Sequence, residues 1–282
     1  MRVAAFTLAG IDLSSVEAYS KSLTSQIKAS GAELAVLPAY SFALLALQTG
    51  SSEAPEAFSD LLTGSFAQSA TNNDPYLDLH ANLARESGIY LVPGTYFESK
   101  GSHHYHSSCC FDRQGNIIAV QRQTHLTREE RQCGLARGSE LNLFDLGDIK
   151  AGLIIGNDAR HPEVGRNLAL RGAEIIIHCG ALEAGFNCWP QVAGIWAQVQ
   201  QNQFWAVEAQ LYGSLAGRSF GAAPAVHGPC EITAGKSGFL ARGYPHSTFA
   251  AANLEETARK TLKQQYPLLE LLNPAAYGEL YP

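Results

Sequence analysis

Three places in this chain of 282 residues carry residue types that could do chemistry. His178-Cys179 sets an imidazole beside a thiol at the end of an apolar run, and Glu130 in Thr127-Arg128-Glu129-Glu130-Arg131 adds a carboxylate. A thiolate with a His or Glu base attacks acyl carbons; the opposing reading of Cys179 is a buried, inert thiol, the usual state of a free cysteine. Gly217-Arg218-Ser219-Phe220-Gly221 matches the G-x-S-x-G pattern of a nucleophilic serine. That elbow needs a helix after the serine, and Pro224, Gly228 and Pro229 exclude one. His103, His104 and His106 could share a metal, but no carboxylate or cysteine accompanies them at ligand spacing. A solvent-exposed hairpin is the better reading there, and neither a metal nor a cofactor is expected.

These residues need elements to hold them. Residues 3–7 form a short apolar run, and Ser14 precedes Glu17 in a capping pattern that opens a helix ending at Gly31. Residues 34–37 read as a buried strand stopped by Pro38, whereas 50–74, rich in Ser, Thr, Asn and Ala, give no assignment. Asp74-Pro75 predicts the start of a helix that ends at Gly88, with a strand over 89–93. Residues 105–112 and 117–121, joined through Gln114-Gly115-Asn116, predict a hairpin. The rhythm repeats with a strand over 150–155, a helix over 162–171, a strand over 174–178 and a helix over 191–202. Residues 204–251 read as strands and turns. A last helix spans 254–266 with Asn253 as its N-cap, and an apolar tail comes after it. Two such halves without a Gly/Ser linker predict a single α/β domain over 1–282 on stacked sheets, with 253–282 as a C-terminal helix and tail.

Composition narrows the classes. Hydrophobic residues make up 46% of the chain and charged residues 16%, enough apolar material for one large core. A net charge of −6 gives no electrostatic reason for a nucleic-acid or anionic-membrane partner. No apolar run reaches the roughly 18–20 residues of a membrane helix, and the first residues, with Arg2 and Asp12, read as a strand rather than a secretory signal. Cys109, Cys110, Cys133, Cys179, Cys188 and Cys230 match neither a zinc pair nor a disulfide framework, so a reduced, cytoplasmic protein is expected.

Three segments carry a family likeness. Leu37-Pro38-Ala39-Tyr40-Ser41 resembles L-P-E-x, and Gln121-Arg122-Gln123-Thr124-His125-Leu126 resembles Y-R-K-x-H-L. Gly156-Asn157-Asp158-Ala159-Arg160-His161-Pro162-Glu163 resembles C-x-D-x-R-x-P-E, nearest to the form in carbamoyl amino acid hydrolases. Gly94-Thr95-Tyr96, Phe111-Asp112, the segment from Arg171 to Ile176, and Gly217-Arg218-Ser219 with Pro224 occur in the same order. The chain thus resembles the nitrilase (carbon–nitrogen hydrolase) superfamily over residues 2–250. That resemblance implies a four-layer αββα sandwich, and a homodimer or higher oligomer built through the helices after Gly156 and after Trp189. It also implies a cysteine thiolate attacking a nitrile, amide or carbamoyl carbon, a glutamate base and a lysine beside the oxyanion. Carried over by motif, the glutamate falls on Ala39, the lysine on Gln123 and the cysteine on Gly156, so none of the three is present.

The expectation is therefore a chain that is not an enzyme: a catalytically dead relative whose old pocket binds a small amide- or carboxylate-bearing ligand, or which scaffolds an enzyme partner. The pocket candidates are Glu130, at the family's second glutamate, Asn157, Arg160, Cys179, and His106, where the family usually has Asn. Gln123 keeps an amide donor, and Asp158, Arg160 and Glu163 read as structural. The rival expectation is an amidohydrolase-like enzyme with a relocated centre, using Cys179 or the remaining polar groups. Trp189, Trp196, Phe204 and Trp205 read equally as interface anchors and as core.

Overall fold

Apolar residues on both faces of short strands mark sheets covered on both sides, and the chain has two such sheets. The structure is a computed structural model, and it describes residues 1–50, 55, 57–63, 75–185 and 189–277. The first half gives β1 (Arg2–Phe6), α1 (Val16–Ser30), β2 (Leu34–Val36), α2 (Ser41–Gln48), α3 (Phe58–Thr63), α4 (Pro75–Ser87), β3 (Tyr90–Val92), β4 (Thr95–Lys100), β5 (His103–Phe111), β6 (Ile117–Arg122) and α5 (Arg128–Gln132). The second gives β7 (Leu143–Leu146), β8 (Ile149–Ile155), α6 (Pro162–Leu170), β9 (Ile175–Gly180), α7 (Trp189–Gln191), α8 (Ala197–Asn202), β10 (Trp205–Gln210), β11 (Tyr212–Leu215), β12 (Arg218–Gly221), β13 (Ala225–His227), β14 (Phe239–Arg242), β15 (Phe249–Asn253) and α9 (Glu256–Gln265). One sheet runs β15-β1-β2-β3-β5-β4 with β6 on β5; the other runs β14-β13-β10-β9-β8-β7. Strands β1, β2 and β3 are parallel, as are β8, β9 and β10.

Strand parity sorts the core into layers. Val3 and Ala5 of β1 meet Leu153, Ile175, Ile177 and Val207 of the second sheet in a cluster between the sheets. Ala4 and Phe6 face the opposite way and pack on Leu23, Leu45 and Leu83 of the first helical layer. Ile154, Ile176 and Ala206 pack on Val164, Leu168 and Val199 of α6 and α8. Each fully buried aliphatic side chain contributes about 1.5–3 kcal/mol. The result is the four-layer αββα sandwich that the resemblance implies. No helix among the described residues is long and apolar enough to cross a membrane.

Several local expectations shift. The N-cap of α1 is Ser15, whose hydroxyl accepts from Ala18 N–H, rather than Ser14. The last helix begins at Glu256 without a side-chain cap, because Asn253 is held in β15 opposite Arg2. The helix expected over 191–202 is broken at Gly194, whose φ of −95° and ψ of −118° are not helical. Helices α2 and α3 were not anticipated from the sequence. Asp74, Cys188 and the end of the apolar tail lie outside the described residues.

Candidate functional site

Where β2 and β8 end, on the same side of the two sheets, the chain turns away from the core and leaves a cavity of about 290 Å³. Ala39 and Gly156 line it, and a Cβ built on Gly156 would lie 3.6 Å from the Gln123 amide. The three positions that the resemblance assigns to catalysis therefore converge here. The approach of their loops depends on Gly94, which has φ of +84°. A Cβ at that position would collide with the Pro38 carbonyl oxygen, so no other residue fits without moving backbone. Gly156 itself has φ of +49° and opens the short 3₁₀ turn Gly156–Arg160.

Asp158 in that turn ties the sheets together. Its buried carboxylate accepts from the backbone N–H of Thr124 (3.1 Å) and His125 (2.7 Å) and from the Thr124 hydroxyl (2.8 Å). Gln198 donates to the Ala159 carbonyl at 2.7 Å and secures the turn from the helical side.

One wall of the cavity is a closed hydrogen-bond network. The Gln123 amide nitrogen donates to Glu130 Oε2 and to the His125 carbonyl, each at 3.0 Å. Its oxygen is thereby turned to His106 Nδ1 at 2.7 Å, so Nδ1 carries the ring proton and Nε2 accepts from the Thr95 hydroxyl at 2.6 Å. Glu130 also accepts from Thr127 N–H at 2.7 Å in the capping box of α5, and from the Tyr40 hydroxyl at 3.4 Å. Burial pushes the Glu130 carboxyl up, but the His106 imidazole and the Thr127 donors more than reverse this and hold it below the usual range. Both amide protons of Gln123 are thus engaged within this wall.

The opposite wall holds a second network, which the sequence reading missed. Glu208 is 1% exposed. It accepts from Gln191 Nε2 (2.8 Å), His227 Nε2 (2.7 Å) and Gln210 Nε2 (2.8 Å), and His178 Nδ1 lies 3.4 Å from its Oε1. The other nitrogen of His178 stands 3.2 Å from the carbonyl oxygen of Gly156, at the vacated nucleophile position. Burial pushes the Glu208 carboxyl up, yet the His178 and His227 contacts outweigh it and bring it down to about 2. The signal in the sequence was a lone carboxylate inside the apolar run Phe204-Trp205-Ala206-Val207-Glu208-Ala209, since buried charges are rare unless paired.

Of the expected pocket residues, His106, Glu130, Asn157 and Arg160 line the cavity. Cys179 does not: strand parity turns its thiol into the layer between the sheets, where burial pushes it up to about 12, against the ordinary value of a free thiol, despite a Ser108 contact at 3.8 Å. His103 and His104 are exposed at the far end of β5, away from buried His106, and no group of three or more possible metal ligands occurs among the described residues. Strand β12, which carries Ser219, pairs with β11 rather than entering a helix. The aromatic stretch divides, with Phe204 and Trp205 in the core and Trp189 66% exposed.

Comparison with known proteins places these features. A sequence model described as "Carbon-nitrogen hydrolase" matches residues 2–238. A nitrilase of Pyrococcus abyssi is 32% identical over 139 residues, 49% of this chain and 51% of that protein. The N-carbamoylputrescine amidase of Arabidopsis thaliana is 27% identical over 179 residues, 60% of this chain and 58% of that protein. The chain thus spans about half the length of the curated relatives it matches. Among solved structures, the NitN amidase from Neterenkonia sp. AN1 superposes with a TM-score of 0.75 at 18% identity, covering 98% of both chains. The expectation that the chain is not an enzyme is corrected by these relatives, which carry the names of amidases and a nitrilase and point to enzyme activity. That expectation rested on the loss of the three family positions at Ala39, Gln123 and Gly156, and the loss of one covalent route does not remove the titratable His178 and Glu208 that line the same cavity. With the match running from β1 through the whole of both networks to the start of β14, this chain belongs to the carbon-nitrogen hydrolase family.

Proposed function

We propose that the chain is an amidohydrolase-like enzyme whose catalytic centre has moved from the thiolate position to the His178 side of the cavity. The observation that carries this reading is the imidazole of His178, backed by a buried carboxylate and set 3.2 Å from the carbonyl of Gly156. Cys179 is excluded as the relocated nucleophile by its place between the sheets. The attacking group is then water. Nε2 of His178 donates to the Gly156 carbonyl in the free chain; released from that carbonyl with its proton on Nδ1, the ring takes a proton from the water as the new C–O bond forms and returns it to the leaving nitrogen as the C–N bond breaks. The products are a carboxylate (or carbamate) and an amine. Asn157 and Arg160, on the cavity rim, orient the polar end of the substrate. The cavity volume, near the lower end for small-molecule sites, suits an amide or carbamoyl compound of a few carbons. The names of the relatives, a nitrilase and an N-carbamoylputrescine amidase, favour the same substrate class.

The test is turnover of a panel of small amides, carbamoyl amino acids and nitriles by the wild-type chain, His178→Gln and Cys179→Ala. Wild-type turnover is expected with at least one amide or carbamoyl compound. His178→Gln is expected to lose about 10²-fold or more in kcat, and Cys179→Ala to keep its rate. Absence of turnover across the panel, or a wild-type rate in His178→Gln, overturns the reading.

A further inference from the structure

Across the second sheet the strand register builds a row that runs beyond the cavity at Gly156. His178 of β9 lies opposite Glu208 of β10, Glu208 opposite Ala225 of β13, and Ala225 opposite Arg242 of β14. Registered partners share a face, so all four point away from Cys179, Val207, Val226 and Ala241, which pack in the layer between the sheets. At strand spacings of about 4.8 Å, the row covers about 14 Å from His178 to Arg242. Arg242 ends it beside a second cavity of about 490 Å³, to which Ala222, Ala223, Tyr244 and Pro245 give a largely apolar lining. Leu182, Glu183 and Gln191 line both cavities, so the two adjoin along these three residues, and Glu183 leaves their border exposed to solvent. Arg242 is the one cationic residue in the second lining. Among the described residues its guanidinium has no ion-pair or hydrogen-bond partner, and it lies over the Phe239 ring at 5.2 Å from the centroid. Glu183 does not serve it, because that carboxylate faces Arg218 at 3.2 Å. A guanidinium stacked by its face keeps its edge donors for a planar anion.

We propose that the second cavity is a subsite for a carboxylate-bearing tail of the substrate, and that Arg242 is the residue that selects it. This rests on the reading of the first cavity as the place where the amide is cleaved. The charges set the orientation. Glu208 and Glu130 put buried carboxylates on the walls of the first cavity, which disfavour a substrate carboxylate there, and Arg242 offers the opposite charge at the far end. A lone guanidinium, with no Lys or second Arg in its lining, matches the single charge of a carboxylate better than the higher charge of a phosphate. Between the two ends the ligand passes Leu182 and Ala223, so its linker is apolar. The distance along the row, shortened by the reach of the side chains at its ends, suits a linker of about four methylenes. The substrate class is therefore a straight-chain amide with a carboxylate at its other end.

Adipic acid monoamide and hexanamide share one chain length and differ in a carboxylate for a methyl group. Calorimetric titration of each into the intact chain reads the preference between them without requiring turnover. The wild type is expected to bind the monoamide at least about 10-fold more tightly, through a charge-assisted pair to the guanidinium. In Arg242→Gln the preference is expected to fall below about twofold, and Arg242→Lys, with a point charge in place of the fork, to keep part of it. Arg242 is exposed, so neither change disturbs the core. Where the chain hydrolyses the probes, the ratio of their kcat/KM values reads the same preference. No preference in the wild type, or one that survives Arg242→Gln, overturns the subsite. A preference lost in Arg160→Gln and kept in Arg242→Gln also overturns it, by placing the carboxylate in the first cavity. Binding of the monoamide that depends on Arg242, in a chain that hydrolyses no amide, sinks the hydrolase reading and leaves the subsite standing. Equal kcat/KM for the two probes does the reverse.

Discussion

The buried Glu208 carboxylate gives up its hydration, and three hydrogen-bond donors with the neighbouring His178 tie its ionisation to the folded state. Its carboxyl is brought from 4.5 to about 2. A group depressed in this way adds stability above its unfolded value, and the contribution is lost as pH falls through the folded one. The wild type is therefore expected to exceed Glu208→Gln in urea midpoint by a margin that is constant above pH 4.5 and narrows between 4.5 and 2. Urea unfolding of both chains at a series of pH values checks this, and a margin that does not narrow on acidification counts against the ionised pairing. Glu130 stands in a different position. Its hydrogen bonds close on residues of its own wall, so it shapes the cavity and holds Tyr40 and His106 in place.

Among elements, the 3₁₀ turn after β8 has the largest consequence for its length. Asp158 within it accepts from the loop after β6, so one buried carboxylate joins the ends of the two sheets beside the cavity. Asp158→Ala would strand the N–H groups of Thr124 and His125, and is expected to destabilise the chain by about 2–4 kcal/mol, measured by urea unfolding. How far the sequence alone exposed these elements depends on the physics of each. Gly31 as a helix stop, Pro162 as a helix start and the Gln114-Gly115-Asn116 turn are set by local backbone chemistry, and they sit where the sequence placed them. Asn253 has equally good capping chemistry, but pairing with β1 holds it in a strand. The kink at Gly194 and the placement of α2 depend on packing partners far along the chain, which a local pattern does not show. The convergence of Ala39 with Gly156 was legible through motif order. The Glu208 network was not, because His178 and His227 are 30 and 19 residues from Glu208 along the chain and meet it only through the order of strands in the sheet.

For the whole molecule, stacking two sheets face to face divides every strand residue between an interior shared by the sheets and an outer face under helices. Cys179 and His178 are neighbours in the chain and fall on opposite sides of that division. Brief treatment of the native chain with iodoacetamide is expected to label the half-buried Cys133 and Cys230 and to spare Cys179 until the sheets separate in denaturant. Peptide mapping before and after unfolding reads this directly, and native labelling of Cys179 would mean that its thiol opens to the cavity.

The same division sets what the chain can tolerate in its genetic drift. Exposed connections away from the cavity can change length by a residue and keep both sheets, but β10 cannot. One inserted codon between Trp205 and Glu208 would reverse the parity of the rest of the strand, sending Glu208 and Gln210 into the apolar interior and Ala209 toward His178. The buried charge and the cavity wall would be lost in a single frame-preserving event. In the six residues of β10, as in other strands buried on both faces, length itself is thus under constraint, by count as much as by kind.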